Sequence, residues 1–119
     1  MRILILEDRK ERQKAFRQCL IGAVVEIYET IGPVISKLKT ENWDYLFLDH
    51  DLGGKAFIQS GGLEETGWDV AVWLSKNVDR QPENIIHSFN TVGAQNMKSL
   101  LPKAQVIKGV WTKIKLESL

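Results

Sequence analysis

Cysteine is nearly absent from this chain. Cys19 stands alone, so no internal disulfide can form, and a reducing, cytoplasmic setting is expected. An excess of charge of one sign is missing too: 16 Lys and Arg against 15 Asp and Glu leave a formal net charge of +1. That balance excludes the electrostatic footprint of a general DNA or RNA binder. No apolar run approaches the roughly 20 residues that span a bilayer. The opening residues, Met1 to Asp8, turn acidic too early for a secretory signal. A soluble protein without a membrane partner is the expectation. The pairs Gly53-Gly54 and Gly61-Gly62 have no Lys-Ser or Lys-Thr behind them at the spacing of a phosphate loop, so they read as loop glycines. No repeat, low-complexity tract or linker breaks the 119 residues, which fit one domain, 1–119, with one core.

What is present alternates. Ile3-Leu4-Ile5-Leu6 is a short apolar run ending in two acids, as expected of a strand buried on both faces. Residues 9 to 21 are rich in Arg, Lys, Glu and Gln, with Phe16, Cys19 and Leu20 at helical spacing. Ala23 to Tyr28 reads as a second strand. Gly32-Pro33 then opens a helix with Val34, Ile35 and Leu38 on one face. Asp44 to Leu48 is the strongest strand signal, and it runs straight into Asp49-His50-Asp51. Gly53 to Thr66 carries four glycines and no sustained period, which predicts a long loop able to act as a lid. Trp68 to Asn77 predicts a helix, Pro82-Glu83-Asn84 a break, and Ile85-Ile86 a fourth strand entering His87-Ser88-Phe89-Asn90. Val92 to Leu101 predicts another helix, ended by Pro102, and Val106-Ile107 a fifth strand. The tryptophans at 43, 68, 73 and 111 are expected at the core or its rim, Trp68 bordering the long loop.

Strict alternation argues for a parallel sheet with helices on both faces and strand order 2-1-3-4-5. In such sheets ligands bind outside the carboxyl ends of the strands, where the order reverses. That rule gathers Glu7 and Asp8 from the first strand with Asp49, His50 and Asp51 from the third. Up to four carboxylates would repel one another there, and a hard divalent cation, Mg²⁺ above all, is the usual remedy. Mg²⁺ keeps waters and takes phosphate oxygens, so a phosphate ligand follows if the metal does. Taken singly, each acid could be a solvated strand-end carboxylate or a helix cap.

The chain has only two histidines, His50 and His87, and both fall at predicted strand ends. Each could donate to a phosphate, move a proton or bind a metal; the alternative is a buried imidazole bonded to a backbone carbonyl. Ser88 and Asn90 either cap the following helix or, with its free N–H groups, hold phosphate oxygens. Lys108 could bring a positive charge to the same phosphate, although Lys113 and Lys115 show that lysine is common nearby.

Ile3 to Asp8 resembles the first strand and acidic pair of response-regulator receiver domains, and Leu46-Phe47-Leu48-Asp49 resembles the strand that ends in their phosphate-accepting aspartate. The resemblance covers about residues 1 to 110 and implies a three-layer α/β, flavodoxin-like receiver fold. By the same resemblance Glu7 and Asp8 would hold Mg²⁺ with Asp49, Ser88 would stand for the switch hydroxyl, and Lys108 would be the strand-five lysine. Two departures stand out. A long glycine-containing insertion follows His50-Asp51-Leu52, and only about ten residues follow Lys108, so the last helix is expected to be truncated or missing. Leu48-Asp49-His50-Asp51-Leu52 together with Ile86-His87-Ser88-Phe89-Asn90 is similar to a divergent receiver group described as cyclic-phosphate processing.

Three functions follow from these residues. The first is a metal-assisted phosphate site that binds or hydrolyses a cyclic phosphate on a nucleotide-type ligand, with Asp49, His50 and His87 catalytic and Glu7, Asp8, Asp49 and Asp51 on the metal. Ser88, Asn90 and Lys108 would bind phosphate. The second is a stand-alone receiver phosphorylated on Asp49 that switches a protein partner. The third is a module that binds a phosphorylated ligand or protein without turnover.

Overall fold

Ile3, Leu4, Ile5 and Leu6 are all fully buried, so the first strand, β1 (Arg2–Leu6), is covered on both faces. The computed structural model describes residues 1–51, 66–77, 81–88 and 90–107. In chain order β1 is followed by α1 (Lys10–Cys19), β2 (Val24–Tyr28), α2 (Ile31–Thr40) and β3 (Tyr45–Leu48). Then come α3 (Gly67–Lys76), β4 (Glu83–His87), α4 (Thr91–Leu100) and β5 (Gln105–Ile107). The sheet is parallel throughout, in the order β2-β1-β3-β4-β5. It is the order expected from the alternation.

Period-two side chains sort the sheet into two faces. Ile3, Ile5, Phe47 and Ile85 pack with Phe16 and Leu20 of the α1 region. Leu4, Leu6, Leu46, Leu48 and Ile86 pack with Val34 from α2, Val70, Ala71 and Leu74 from α3, and Ala94 and Met97 from α4. Each fully buried Leu, Ile or Phe contributes roughly 1.5–3 kcal/mol relative to exposure, so the two layers fix the strand ends firmly. Trp43 is buried and Trp73 packs on the core, whereas Trp68 is exposed and packs on neither core layer, and Trp111 lies outside the described residues.

One boundary differs from expectation. Pro82-Glu83-Asn84 predicts a break, yet β4 already begins at Glu83, whose N–H donates to the Asp44 carbonyl at 3.0 Å. Pro82 lies just outside the ladder, so its missing N–H leaves the pairing intact. The expected lid (Gly53 to Thr66, apart from Thr66 itself), Lys108 and the truncated last helix fall outside the described residues. No helix among the described residues is long and apolar enough to cross a membrane.

Candidate metal and phosphate site

β1 and β3 are neighbours with Leu6 opposite Leu48, so the residues that follow, Glu7 and Asp49, emerge side by side. The ladder runs one step past each strand: Glu7 N–H donates to the Tyr28 carbonyl at 3.0 Å and Asp49 N–H to the Leu6 carbonyl at 3.3 Å. Both carboxylates are buried, Glu7 wholly and Asp49 at 2% exposure. Glu7, Asp8 and Asp49 each offer an oxygen within 4.8 Å of the others. These are three of the four acids expected at a metal.

Burial and mutual repulsion decide the electrostatics. Burial chiefly, then the charge of Glu7, pushes Asp49 well above the ordinary carboxylate range, with Arg12 and the Asp51 N–H pulling the other way. Glu7 is raised as well, again by burial first, against the Arg9 N–H and Arg12. Arg12, on the first turn of α1, sets its Nη1 3.6 Å from Glu7 Oε1 and 3.7 Å from Asp49 Oδ2. One oxygen of each is already engaged: Glu7 Oε2 accepts from Arg9 N–H at 3.1 Å and Asp49 Oδ1 from Asp51 N–H at 3.3 Å. Glu7 Oε1 is buried and accepts no hydrogen bond. A buried carboxylate oxygen in that state fits a hard cation, which would supply the missing charge and the missing ligand bond together.

The two histidines occupy different layers. His87 continues the face of Phe47 and Ile85 and is fully buried, edge-on to Phe16 with ring centroids 5.0 Å apart. Its Nδ1 lies 3.7 Å from Glu7 Oε1. Burial first, then Arg12, pushes its pKa down to about 3, against a hydrogen bond to the Leu6 carbonyl, so the imidazole is neutral at neutral pH. This is the buried, carbonyl-bonded environment weighed as the alternative for His87, placed directly behind the acids.

His50 lies nearer the surface, its side chain 16% exposed. Its Nδ1 donates to Asp51 Oδ1 at 2.8 Å, and the Asn90 amide donates to the same oxygen at 3.1 Å. Burial works to raise the Asp51 pKa, but the His50 and Asn90 hydrogen bonds and nearby positive charge outweigh it, and the net shift is downward. Asp51 thus turns its Oδ1 to His50 and Asn90, and it is not among the three acids that converge. With Nδ1–H fixed on a carboxylate, His50 keeps Nε2 as its basic nitrogen.

Ser88 is buried and its Oγ accepts from Asn90 N–H at 3.1 Å, while Asn90 Oδ1 caps α4 through Gly93 N–H at 2.8 Å. Of the two readings weighed for these residues, capping is seen for Asn90, while Ser88 holds the N–H of the cap residue and no N–H of α4 itself. Ser88, at the end of β4, and the start of α4 lie at the carboxyl end of the sheet, where a helix amino terminus favours an anion.

Sequence reading missed three residues of the site. Arg12 is one arginine among several in an amphipathic helix, and nothing in the pattern separates it from its neighbours. Gly67 brings the start of α3 against β3: its N–H donates to the His50 carbonyl at 3.1 Å, and a Cβ there would lie 2.0 Å from the Asp49 carbonyl oxygen. Gly93 makes room for the His50 ring, which a Cβ would meet at 2.5 Å. Only the cap signals, Thr66 with Asp69 before α3 and Asn90 before α4, mark these helix starts in the sequence.

The chain matches the family model described as the cyclic-phosphate processing receiver domain over residues 2–103, and it belongs to that family. Among solved structures it is similar to a CheY-like response regulator receiver domain from Methanospirillum hungatei JF-1. The TM-score is 0.70 at 20% identity, covering 92% of this chain and 81% of that one. The phosphorylated cyanobacterial phytochrome response regulator RcpA gives a TM-score of 0.71 at 15% identity, covering 92% and 81%. The response regulator TrrA from Thermotoga maritima, in complex with Mg²⁺-BeF, gives 0.66 at 18% identity, covering 92% and 87%. At these identities the likeness establishes the receiver fold. No curated protein matches the chain.

Proposed function

We propose that the pocket of Glu7, Asp8 and Asp49 binds a divalent cation, Mg²⁺ being the best fit, and that a cyclic phosphate of nucleotide type is bound and hydrolysed beside it. The observation that carries this reading is the pairing of converging buried acids with a histidine oriented by a carboxylate. Receiver domains commonly bind Mg²⁺ at an acidic site, and the TrrA neighbour was solved with Mg²⁺-BeF. When bound, the cation would offset phosphate charge and lower the pKa of a coordinated water.

His50 has the task of moving the proton. Its Nδ1–H is held by Asp51, which Asn90 holds in turn, so Nε2 takes a proton from the attacking water. The water oxygen bonds to phosphorus, the bond from phosphorus to one ring oxygen breaks, and that oxygen leaves with the proton returned by Nε2. The product is a phosphate monoester and a free hydroxyl. Ser88 Oγ–H and the first N–H groups of α4 hold phosphate oxygens, with Lys108 proposed as a further positive contact. His87, neutral and walled by Phe16 and Phe47, braces Glu7 from behind. Asp51 serves here by orienting His50 and not as a metal ligand.

The test is Mg²⁺-dependent turnover of a panel of 2′,3′-cyclic, 3′,5′-cyclic and cyclic-dinucleotide phosphates by the native chain, His50→Ala and Asp49→Asn. Ring-opened product from the native chain, reduced on the order of 10²-fold or more in His50→Ala, is expected. Turnover that His50→Ala leaves unchanged would remove the role given to His50. A second reading, phosphoacceptance on Asp49, is favoured by the place of Asp49 at the end of β3 beside the acidic pair, and by the fold shared with the phosphorylated RcpA neighbour. Incubation with a small phosphoryl donor that adds one phosphate to the native chain and none to Asp49→Asn, without cyclic-phosphate turnover, would select it.

A further inference from the structure

We propose that Arg12 is a built-in counter-ion of the acid pocket and competes with the divalent cation for the same two carboxylate oxygens. The inference rests on the metal-binding half of the reading above and assigns a determinant of that binding.

The geometry divides each carboxylate in two. Glu7 Oε2 and Asp49 Oδ1 are committed to the backbone N–H groups of Arg9 and Asp51. The remaining oxygens, Glu7 Oε1 and Asp49 Oδ2, are the ones that Arg12 Nη1 faces at 3.6 and 3.7 Å. A charge-assisted hydrogen bond closes to about 2.7–2.9 Å, so at these distances the guanidinium neutralises the acids without locking onto them. A small hard cation binding the same oxygens would approach to about 2.0–2.1 Å. Two like charges would then share one partly buried corner, where screening is weak.

Arg12 has to be displaced for the cation to reach those oxygens. Its side chain is 16% exposed against 0% for Glu7 and 3% for Asp49, and it stands on the first turn of α1. Arginine also stays charged at any pH the protein meets, so a proton cannot relieve the conflict and only movement can. The native chain therefore takes up Mg²⁺ less tightly than its three acids alone would allow.

The experiment is calorimetric titration of Mg²⁺ alone into the full chain at about pH 9, above the raised values of Glu7 and Asp49, comparing native protein with Arg12→Gln and Arg12→Lys. Arg12→Gln is expected to bind Mg²⁺ roughly tenfold tighter or more, while Arg12→Lys, which keeps the charge, stays within about threefold of native. Thermal melting gives an independent readout: without Mg²⁺ Arg12→Gln melts below native, and saturating Mg²⁺ raises its Tm by more than it raises the native Tm. Equal or weaker Mg²⁺ binding by Arg12→Gln, or an equal rise in Tm, overturns the competition. Absence of Mg²⁺ binding in all three forms overturns it together with the metal-dependent function. The expected Mg²⁺ shifts without turnover of any cyclic phosphate support the competition and remove only the proposed activity.

Discussion

Arg2 and Arg12 each sit among acids, and the two surroundings differ in every respect that matters. Arg2 ion-pairs with Glu41 and lies 3.8 Å from Glu26, while Lys37 reaches the same two acids at 2.8 and 3.4 Å. The cluster is half-exposed, two cations match two carboxylates, and Arg2 also covers the Trp43 ring at 4.4 Å. Glu41 is held below its ordinary pKa by Lys37 and Arg2, and Lys37 is held above its own by Glu41 and Glu26. Around Arg12 the acids are buried and, among the described residues, outnumber the cation that faces them, and Glu7 and Asp49 are both pushed up. The first arrangement is complete as it stands. The second stores unfavourable charge at the carboxyl end of the sheet, and such displacement of pKa values is a mark of function more than of stability.

The comparison can be broken first at the backbone beneath the acids. Gly67→Ala places a Cβ against the Asp49 carbonyl, which no side-chain rotation can relieve, and about 3 kcal/mol of stability is expected to be lost. Denaturant unfolding measures this, and a change within experimental error would mean that α3 does not press on β3. Asn90→Ala is expected to cost about 1 kcal/mol through the lost cap of α4, and it also releases Asp51 from its second donor. A smaller change again is expected of Arg2→Ala, one that shrinks further in high salt, because its ion pairs are exposed and screened. A larger loss from Arg2→Ala than from Asn90→Ala would reverse the contrast.

The sheet and its acid edge were legible because long-range order here follows from short runs. Apolar strands that stop at Glu7-Asp8 and at Asp49-His50-Asp51 mark both the register and the place where ligands bind. Depth was less legible. His87 and His50 look alike in sequence, each at a strand end, although counting by two from Ile85 puts His87 on the Phe47 face, where it is fully buried. Asp51 was grouped with the other acids by adjacency alone, and its turn toward Asn90 depends on a contact 39 residues away. The roles of Arg12, Gly67 and Gly93 are likewise contacts between elements, which local pattern does not encode.

The most direct test of a cation-dependent acid pocket is thermal stability against pH, with and without Mg²⁺, for the native chain and Asp49→Asn. Glu7 and Asp49 have folded pKa values raised above their unfolded ones, so their contribution is fully present below the ordinary carboxylate pKa and is lost as pH rises through the folded values. Without Mg²⁺ the native Tm should therefore fall from about pH 5 to about pH 8. Mg²⁺, binding the ionised folded form, should restore it at the upper end. Asp49→Asn should show a shallower fall and little Mg²⁺ rescue. A native Tm indifferent to Mg²⁺ across that range, or an equal rescue in Asp49→Asn, would contradict the account.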